Sequence, residues 1–250
     1  MELYAGITRR LDLDFSKDND AARLLFQLLS VRDTLPPEVL HEKLRGRLVA
    51  VYGAGPSLDA GLDLMISTAL YPKFVHLAAD GAVSAFRECG RVPDIVFTDL
   101  DGNAADLISA SSAGCWLIIH AHGNNMDLLK KLVPLMEGPV LGSTQTCPLP
   151  PKVLDLGGFT DGDRAVWWAS ELRAEKILLI GMDFGTTIGR HSKPYLKGRL
   201  LKMKLDKLKI GRELVEIAAE KGNLCSLVPS GDSPPMAGVP ALRLEDLRRL

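Results

Sequence analysis

The feature that most constrains this chain is a pair of short apolar runs that each end in acidic residues. The runs are Phe74–Ala79 and Ile95–Thr98; Asp80 follows the first, and Asp99 and Asp101 follow the second. Strands buried on both faces of a parallel sheet have this uniformly apolar composition, and ligands of open α/β sheets bind outside the carboxyl ends of the strands. The sequence therefore predicts that three carboxylates lie together at one edge of a parallel sheet.

Carboxylates that lie close together repel one another unless a cation offsets their charge. Mg²⁺ is the natural candidate, because it takes oxygen ligands from one or two carboxylates and completes its shell with water and substrate phosphates. We therefore predict a magnesium site formed by Asp80, Asp99 and Asp101. The alternative is that Asp80 and Asp101 only cap the helices that follow them.

Strands and helices alternate through most of the chain. Further strands are predicted at residues 48–52, 115–119, 140–142, 152–156 and 176–181. This alternation predicts an α/β fold with a doubly wound, mostly parallel sheet and helices on both faces. We divide the chain into a small helical N-terminal segment (1–46), which could be a separate subdomain, an α/β catalytic domain (47–228) and a C-terminal tail (229–250).

Composition excludes several classes of protein. With 30 basic and 31 acidic residues the net charge is −1, so no overall field attracts nucleic acid or an anionic membrane. The four cysteines are scattered without a C-x-x-C pair, which argues against a structural zinc site and against a secreted disulfide framework. No apolar run approaches membrane-spanning length, and we expect a soluble, cytoplasmic protein.

A glycine turn follows the first strand and precedes a helix. Unpaired N–H groups and the helix dipole converge at such a turn and can bind an anion. The residues predicted to contact phosphate are Gly53, Gly55, Pro56 and Ser57. Leu58 occupies the position of the third glycine of a dinucleotide fingerprint, so that match is incomplete. The alternative is a tight turn with a structural role alone.

Polar loops follow the later strands and point to the same edge. His120 and His122 alternate along an extended segment and therefore face opposite sides, which makes a shared zinc site a poor interpretation. We expect His122 to face the site and His120 to pack inside. Lys193 and Lys197 lie in a loop that could close over a triphosphate. The basic residues of the long helix after it, Lys204 among them, are expected to lie mostly on a solvated face.

Several segments occur in an order that resembles a known family. They are GAGPSL (53–58), ADGA (79–82), PD (93–94), TDLDG (98–102), HAHGNN (120–125), FTDGDR (159–164) and GMDF (181–184). From about residue 4 to residue 240 the chain resembles the archaeal 6-hydroxymethyl-7,8-dihydropterin pyrophosphokinases. Part of it is also similar to thiamine pyrophosphokinase, which has Asp-Gly, Pro-Asp and Asp-x-Asp elements at comparable spacing.

The resemblance implies transfer of diphosphate from ATP to the pterin hydroxymethyl group with release of AMP, in the pathway to tetrahydromethanopterin or a folate-like pterin. Mg²⁺ would be held on the phosphates by Asp99 and Asp101 with Asp80 near. His122 or Asp80 could orient or deprotonate the hydroxyl. The remaining ATP-binding candidates are Asn124, Lys193 and Lys197; the pterin-binding candidates are Thr160, Asp161, Asp163, Arg164 and Asp183.

One position departs from the family pattern. The archaeal proteins usually carry Asp where this chain has Asn124, so either Asp127 takes over its role or the metal affinity differs. A non-catalytic regulatory homologue is one alternative that this departure favours. A nucleotide-sugar-dependent, sialyltransferase-like glycosyltransferase and a nicotinamide- or flavin-binding module are the others. A homodimer is the commonest assembly for such enzymes.

Overall fold

The computed structural model of the protein describes residues 6–7, 17–227, 235–243 and 246. Most of the first sixteen residues of the predicted N-terminal segment, and most of the predicted C-terminal tail, lie outside these ranges. No helix in the described part of the chain has both the length and the apolar character that crossing a membrane requires.

The described strands form one sheet of nine members. They are β1 Leu48–Tyr52, β2 Phe74–Ala79, β3 Ile95–Thr98, β4 Trp116–His120, β5 Val140–Ser143, β6 Val153–Leu154, β7 Lys176–Ile180, β8 Leu224–Leu227 and β9 Ala241–Leu242. Their order across the sheet is β6-β5-β4-β3-β2-β1-β7-β8-β9, and every neighbouring pair is parallel. The predicted bounds of β1, β2 and β3 are confirmed, and those of the later predicted strands agree to within two residues.

Eight α-helices cover the two faces of this sheet in the described part of the chain. They are α1 Asp18–Ser30, α2 Pro37–Leu44, α3 Leu58–Ile66, α4 Ala82–Glu88, α5 Ala104–Ser112, α6 Met126–Leu132, α7 Asp161–Glu171 and α8 Gly198–Ala218. Apolar side chains of α1 and of α3 to α6 form one core with residues such as Tyr52 and Ile119. Those of α2, α7 and α8 form a second core with Val51 and Phe97. The doubly wound α/β prediction is confirmed.

The two helices of the N-terminal segment lie on opposite faces of the sheet. Leu25 and Leu29 of α1 are fully buried in the first core, and the Lys152 ammonium donates a 2.7 Å hydrogen bond to the Leu29 carbonyl. Leu40 and Leu44 of α2 are buried in the second core. Both helices therefore share their hydrophobic contacts with the α/β sheet.

The direction of winding reverses at β1. The chain proceeds from β1 outward through β2 to β6 on one side, then crosses back to β7, which pairs with the other side of β1. Loops that leave neighbouring strands in opposite directions open a crevice at their carboxyl ends, and ligands of open α/β sheets bind in such a crevice. The fold therefore places such a crevice at the carboxyl ends of β1, β2 and β7.

Candidate active site

A cleft opens at this reversal point. It is lined by the turn after β1, by the ends of β2 and β3, by the first residues of α7, by the loop after β7 and by one face of α8. Asp80 and Asp161 both line the cleft, and Asp99 joins them from the end of β3. Each of these three carboxylates offers an oxygen, and the three oxygens lie within 4.8 Å of one another. The acidic cluster is thus formed by Asp80, Asp99 and Asp161.

Asp80 is held rigidly by the loop after β3. Its Oδ2 atom accepts hydrogen bonds from the Thr98 hydroxyl at 2.7 Å and from the Gly102 N–H at 3.0 Å. Its Oδ1 atom is buried and has no hydrogen-bond partner among the described residues. Burial, together with the negative charges of Asp99 and Asp101, raises the pKa of Asp80 to about 7. The hydrogen bond from Thr98 acts in the opposite direction but is a smaller effect than burial.

Neither acid proposed as a possible helix cap plays that role. The residue before α4 is Gly81, and no side chain caps that helix. Helix α5 is capped by Asn103, whose Oδ1 atom accepts a hydrogen bond from the Ala105 N–H at 3.1 Å. The capping alternative for Asp80 and Asp101 is therefore wrong.

Asp99 is oriented by His122. The Asp99 Oδ2 atom lies 3.3 Å from His122 Nε2, and the Asn124 N–H donates to His122 Nδ1 at 3.2 Å. In a neutral ring Nδ1 is therefore the acceptor and Nε2 carries the hydrogen, which points to Asp99. Burial raises the pKa of Asp99, but the hydrogen bond from His122 and the histidine charge outweigh it, so the pKa lies below its usual range.

Asp101 does not join the acidic cluster. Its carboxylate is about half exposed and forms an ion pair with Lys193, which also lines the cleft. Residue 100 between the two acids has a positive φ of 68°, and its N–H donates to the Thr98 hydroxyl. Because of this tight turn, the side chains of Asp99 and Asp101 point in different directions. Of the three acids predicted to bind the metal, only Asp80 and Asp99 lie together.

Asp161 takes the third position in the cluster. Desolvation raises the pKa of Asp161 well above its usual range, and the charges of Asp99, Asp80 and Asp101 add to the effect. Three carboxylates, an unsatisfied buried oxygen on Asp80 and two raised pKa values describe a site with excess negative charge. Such a donor set fits a hard divalent cation such as Mg²⁺.

Asp163 and Arg164 support the loop that carries Asp161. Asp163 is fully buried and accepts hydrogen bonds from the N–H groups of Phe159 and Thr160, which closes a capping box at the start of α7. Arg164 is 1% exposed, and its guanidinium donates to His120 Nε2 and to the Phe159 carbonyl, each at 3.2 Å. Of the predicted pterin-binding residues in this loop, only Thr160 and Asp161 line the cleft.

His120 is a packing histidine, as expected from its position on β4. It is 4% exposed, and its Nδ1 atom lies 3.2 Å from the Ser143 hydroxyl. Burial, followed by the charge of Arg164, lowers its pKa well below the usual range, which agrees with an Nε2 atom that accepts a hydrogen bond. His120 thus links the end of β4 to the first turn of α7.

The glycine turn approaches the loop after β7 very closely. The Gly53 N–H donates to the Ile180 carbonyl and the Gly55 N–H to the Gly181 carbonyl, each at 2.8 Å. The Ser57 N–H donates to Asp183 Oδ2 at 2.9 Å. A Cβ atom at position 55 would lie 2.2 Å from that same Asp183 oxygen. These donors are engaged within the protein, although Gly53, Gly55, Pro56 and Asp183 all line the cleft. Phosphate contact at the turn stays a prediction.

The loop after β7 is tied to the outer helices. The Arg190 guanidinium donates to Asp59 of α3 at 2.8 Å and to Glu88 of α4 at 2.7 Å, and His191 Nε2 lies 2.8 Å from Asp59 Oδ1. A Cβ atom at Gly81 would meet the His191 carbonyl at 2.4 Å. This tether seats the loop against the glycine turn, so that Lys193 reaches the edge of the cleft.

Lys197 and Asn124, both predicted to bind ATP, do not line the cleft, and a lysine that was not predicted to bind a substrate does. Lys197 precedes α8 and is exposed. Asn124 is exposed in the short turn between β4 and α6. Lys204, which was predicted on a solvated face, is partly buried and lines the cleft. Its spacing of four residues from Leu208 and seven from Gly211, which face the same side, is the sequence signal that could have identified it.

Asn125 was overlooked beside Asn124. It is 2% exposed, and its amide nitrogen donates to the carbonyls of Asp99 at 2.8 Å and of His120 at 2.7 Å, while its oxygen accepts from the His122 N–H at 3.0 Å. Asp127, the proposed substitute for an acid at position 124, is fully exposed on α6 and pairs with Lys130 at 3.9 Å. The side-chain amide of Asn125, and neither Asn124 nor Asp127, therefore joins the ends of β3 and β4.

Comparison with known proteins agrees with the family resemblance. Residues 24–189 match the family described as 6-hydroxymethylpterin diphosphokinase MptE-like. The 6-hydroxymethyl-7,8-dihydropterin pyrophosphokinase of Pyrococcus furiosus is 40% identical over 225 residues, covering 88% of this chain and 92% of the relative. The protein of the same name from Methanocaldococcus jannaschii is 34% identical over 229 residues, covering 87% and 93%.

A solved structure shares the fold. The MAf glycosyltransferase from Magnetospirillum magneticum AMB-1 superimposes with a TM-score of 0.60 over 95% of this chain and 41% of that protein, at 15% sequence identity. At this identity the likeness concerns the fold alone and carries no argument for sugar transfer. The family match and the two relatives of nearly full length show that the chain belongs to the 6-hydroxymethylpterin diphosphokinase MptE-like family.

Proposed function

We propose that this protein transfers diphosphate from ATP to the hydroxymethyl group of 6-hydroxymethyl-7,8-dihydropterin, with release of AMP and with Mg²⁺ as the metal. Membership of the family and the names of its long relatives support the reaction. The single observation that carries the site assignment is the cluster of Asp80, Asp99 and Asp161 at the cleft where the sheet reverses.

For this reaction the protein mainly has to position the two substrates and neutralise the charge of the phosphates. The hydroxyl oxygen of the pterin forms a bond to the β-phosphorus of ATP, and the bond from that phosphorus to the oxygen bridging it to the α-phosphorus breaks. AMP leaves with the bridging oxygen, and the hydroxyl proton is lost. Phosphoryl transfer of this kind is accelerated by alignment of the two oxygens and by neutralisation of phosphate charge.

Asp99 and Asp161, with Asp80 beside them, would hold Mg²⁺. When bound, the metal supplies positive charge on the phosphates and helps to align them. The chain's own part is to keep the carboxylates in place. Asp99 is fixed by His122 and Asp161 by the capping box of α7, so the cluster is built before substrate arrives.

Asp80 is better suited than His122 to take up the hydroxyl proton. Its buried Oδ1 atom has no hydrogen-bond partner among the described residues and can accept a proton. Both ring nitrogens of His122 are already engaged, one by the Asn124 N–H and one by Asp99. We therefore assign His122 a positioning role and propose that Asp80 accepts the proton of the pterin hydroxyl group.

The direct test is to incubate the protein with ATP, Mg²⁺ and the reduced hydroxymethylpterin and to measure AMP and pterin diphosphate. The double variant Asp99→Asn with Asp161→Asn should lose activity, whereas Asp127→Asn, which alters a fully exposed carboxylate, should not. Absence of AMP with the wild-type protein, or equal AMP with the double variant, would overturn the proposal. Thiamine in place of the pterin tests the acceptor, and product formation with thiamine alone would reassign it.

A further inference from the structure

The cleft contains an ammonium group whose charge the protein does not balance by a direct contact. Two lysines line the cleft, Lys193 and Lys204. Lys193 is held by its ion pair with Asp101. Lys204 has no hydrogen-bond or ion-pair partner within the described ranges, although part of its side chain is buried.

The packing of α8 explains why Lys204 faces the cleft. Gly211 lies two turns further along the same face, and a Cβ atom there would meet Asp163 Oδ2 at 2.9 Å and the Phe184 ring at 3.2 Å. The missing side chain lets α8 approach the first turn of α7. Lys204 and Leu208 consequently lie over the cleft, on the side of α7 that begins with Asp161.

The surroundings of Lys204 favour the binding of an anion to its ammonium group. Desolvation lowers its pKa, while the nearby carboxylates of Asp161 and Asp101 favour the charged form. A partly desolvated cation without a direct partner costs free energy, and that cost is offset when an anionic ligand contacts it. Asp161 would be turned towards a metal ion and Asp101 is paired with Lys193, so the anion has to come from the substrate.

We infer that Lys204 binds the terminal phosphates of ATP and neutralises their charge during diphosphate transfer. This inference rests on the proposed function, and it assigns to α8 the role that the sequence suggested for Lys197. A lysine acts here as a mobile point charge that can follow the β- and γ-phosphates as they move to the acceptor. Lys193, bound to Asp101, lies at the edge of the same cleft.

The experiment compares binding of ATP and of AMP, each with Mg²⁺ and without pterin, by isothermal titration calorimetry. Removing a charge-assisted contact to phosphate should weaken ATP binding by about ten- to a hundredfold in Lys204→Met. AMP binding should stay unchanged, because AMP lacks the terminal phosphates. Lys204→Arg should recover most of the ATP affinity, and Lys202→Met, at an exposed position of the same helix, should behave as wild type.

Each outcome decides a different point. Equal ATP affinity in Lys204→Met and wild type would overturn the inference, and so would an equal loss of ATP and AMP binding, which would indicate a structural role. Thermal unfolding of both Lys204 variants checks that the fold is kept. A wild-type protein that binds ATP but forms no pterin diphosphate would refute the proposed function, while the Lys204 comparison would still stand.

Discussion

Lys193 and Asp101 form an ion pair at the edge of the cleft, so the two acids of the Asp-x-Asp motif have separate surroundings. Asp99 lies in the acidic cluster beside His122, and Asp101 turns to the loop after β7. Leu100 between them adopts a left-handed conformation with φ of 68°, which costs free energy in a residue with a side chain. The strained turn is what separates the two carboxylates.

The first prediction concerns this division of the motif. Asp99→Asn should raise the Mg²⁺ concentration needed for half-maximal activity and lower kcat/KM by about a hundredfold, because it removes a carboxylate from the cluster. Asp101→Asn removes a partly exposed ion pair, which is worth about 1 kcal/mol or less, so the loss should stay below about tenfold. Initial rates of AMP formation across a magnesium series measure both effects. An equal magnesium shift in the two variants would mean that Asp101 is a metal residue after all.

The second prediction concerns pH and Asp80. An aspartate in the unfolded chain titrates near 3.8, whereas burial raises the pKa of Asp80 to about 7 in the folded, metal-free protein. Between these two values the folded state retains a proton that the unfolded state has lost. The contribution of Asp80 to the free energy of unfolding therefore falls as pH rises from about 4 to about 7.

Asp80→Asn removes this contribution, so the variant should gain stability over wild type as pH rises through that window. The gain should be on the order of a few kcal/mol at most. Urea unfolding at several pH values in EDTA measures it, and Asp127→Asn, with its fully exposed carboxylate, is the control. A stability difference that does not change with pH would contradict the pKa assigned to Asp80.

The sequence could predict those features that depend on residues close together in the chain, and it could not predict those that depend on contacts between distant segments. The strands β1, β2 and β3 could be bounded to the residue, because an uninterrupted apolar run is a local signal of a buried strand. The position of Asp80 and Asp99 followed from those bounds. Local signals sufficed wherever a side chain comes directly after a strand.

The rest of the site depends on contacts between distant segments. Asp161 joins Asp80 and Asp99 because α7 starts above the ends of β2 and β3, and no spacing in the sequence indicates that distance. Lys204 faces the cleft because Gly211 lets α8 approach α7 closely. Asp163, which looked like a ligand-binding acid in a glycine-rich loop, caps a helix instead, and only its hydrogen bonds distinguish the two roles.

The third prediction separates two adjacent amides. Asn125→Ala leaves the carbonyls of Asp99 and His120 and the N–H of His122 without the partner they have now, which should lower the free energy of unfolding by roughly 3 kcal/mol. Because the Asp99 backbone loses its anchor, the magnesium requirement should rise as well. Asn124→Ala alters an exposed side chain and should change stability by about 0.5 kcal/mol or less.

Chemical unfolding and magnesium titration of the two variants measure these effects. Asn124→Asp, which introduces the acid that the family resemblance leads us to expect here, is a further comparison at the same position. If Asn125→Ala is as stable as wild type, or if Asn124→Asp shifts the magnesium requirement more than Asn125→Ala does, the buried amide is not what holds the ends of β3 and β4 together. The expected order follows from burial, since a buried amide with three hydrogen bonds has no water to replace its partners, whereas an exposed one has.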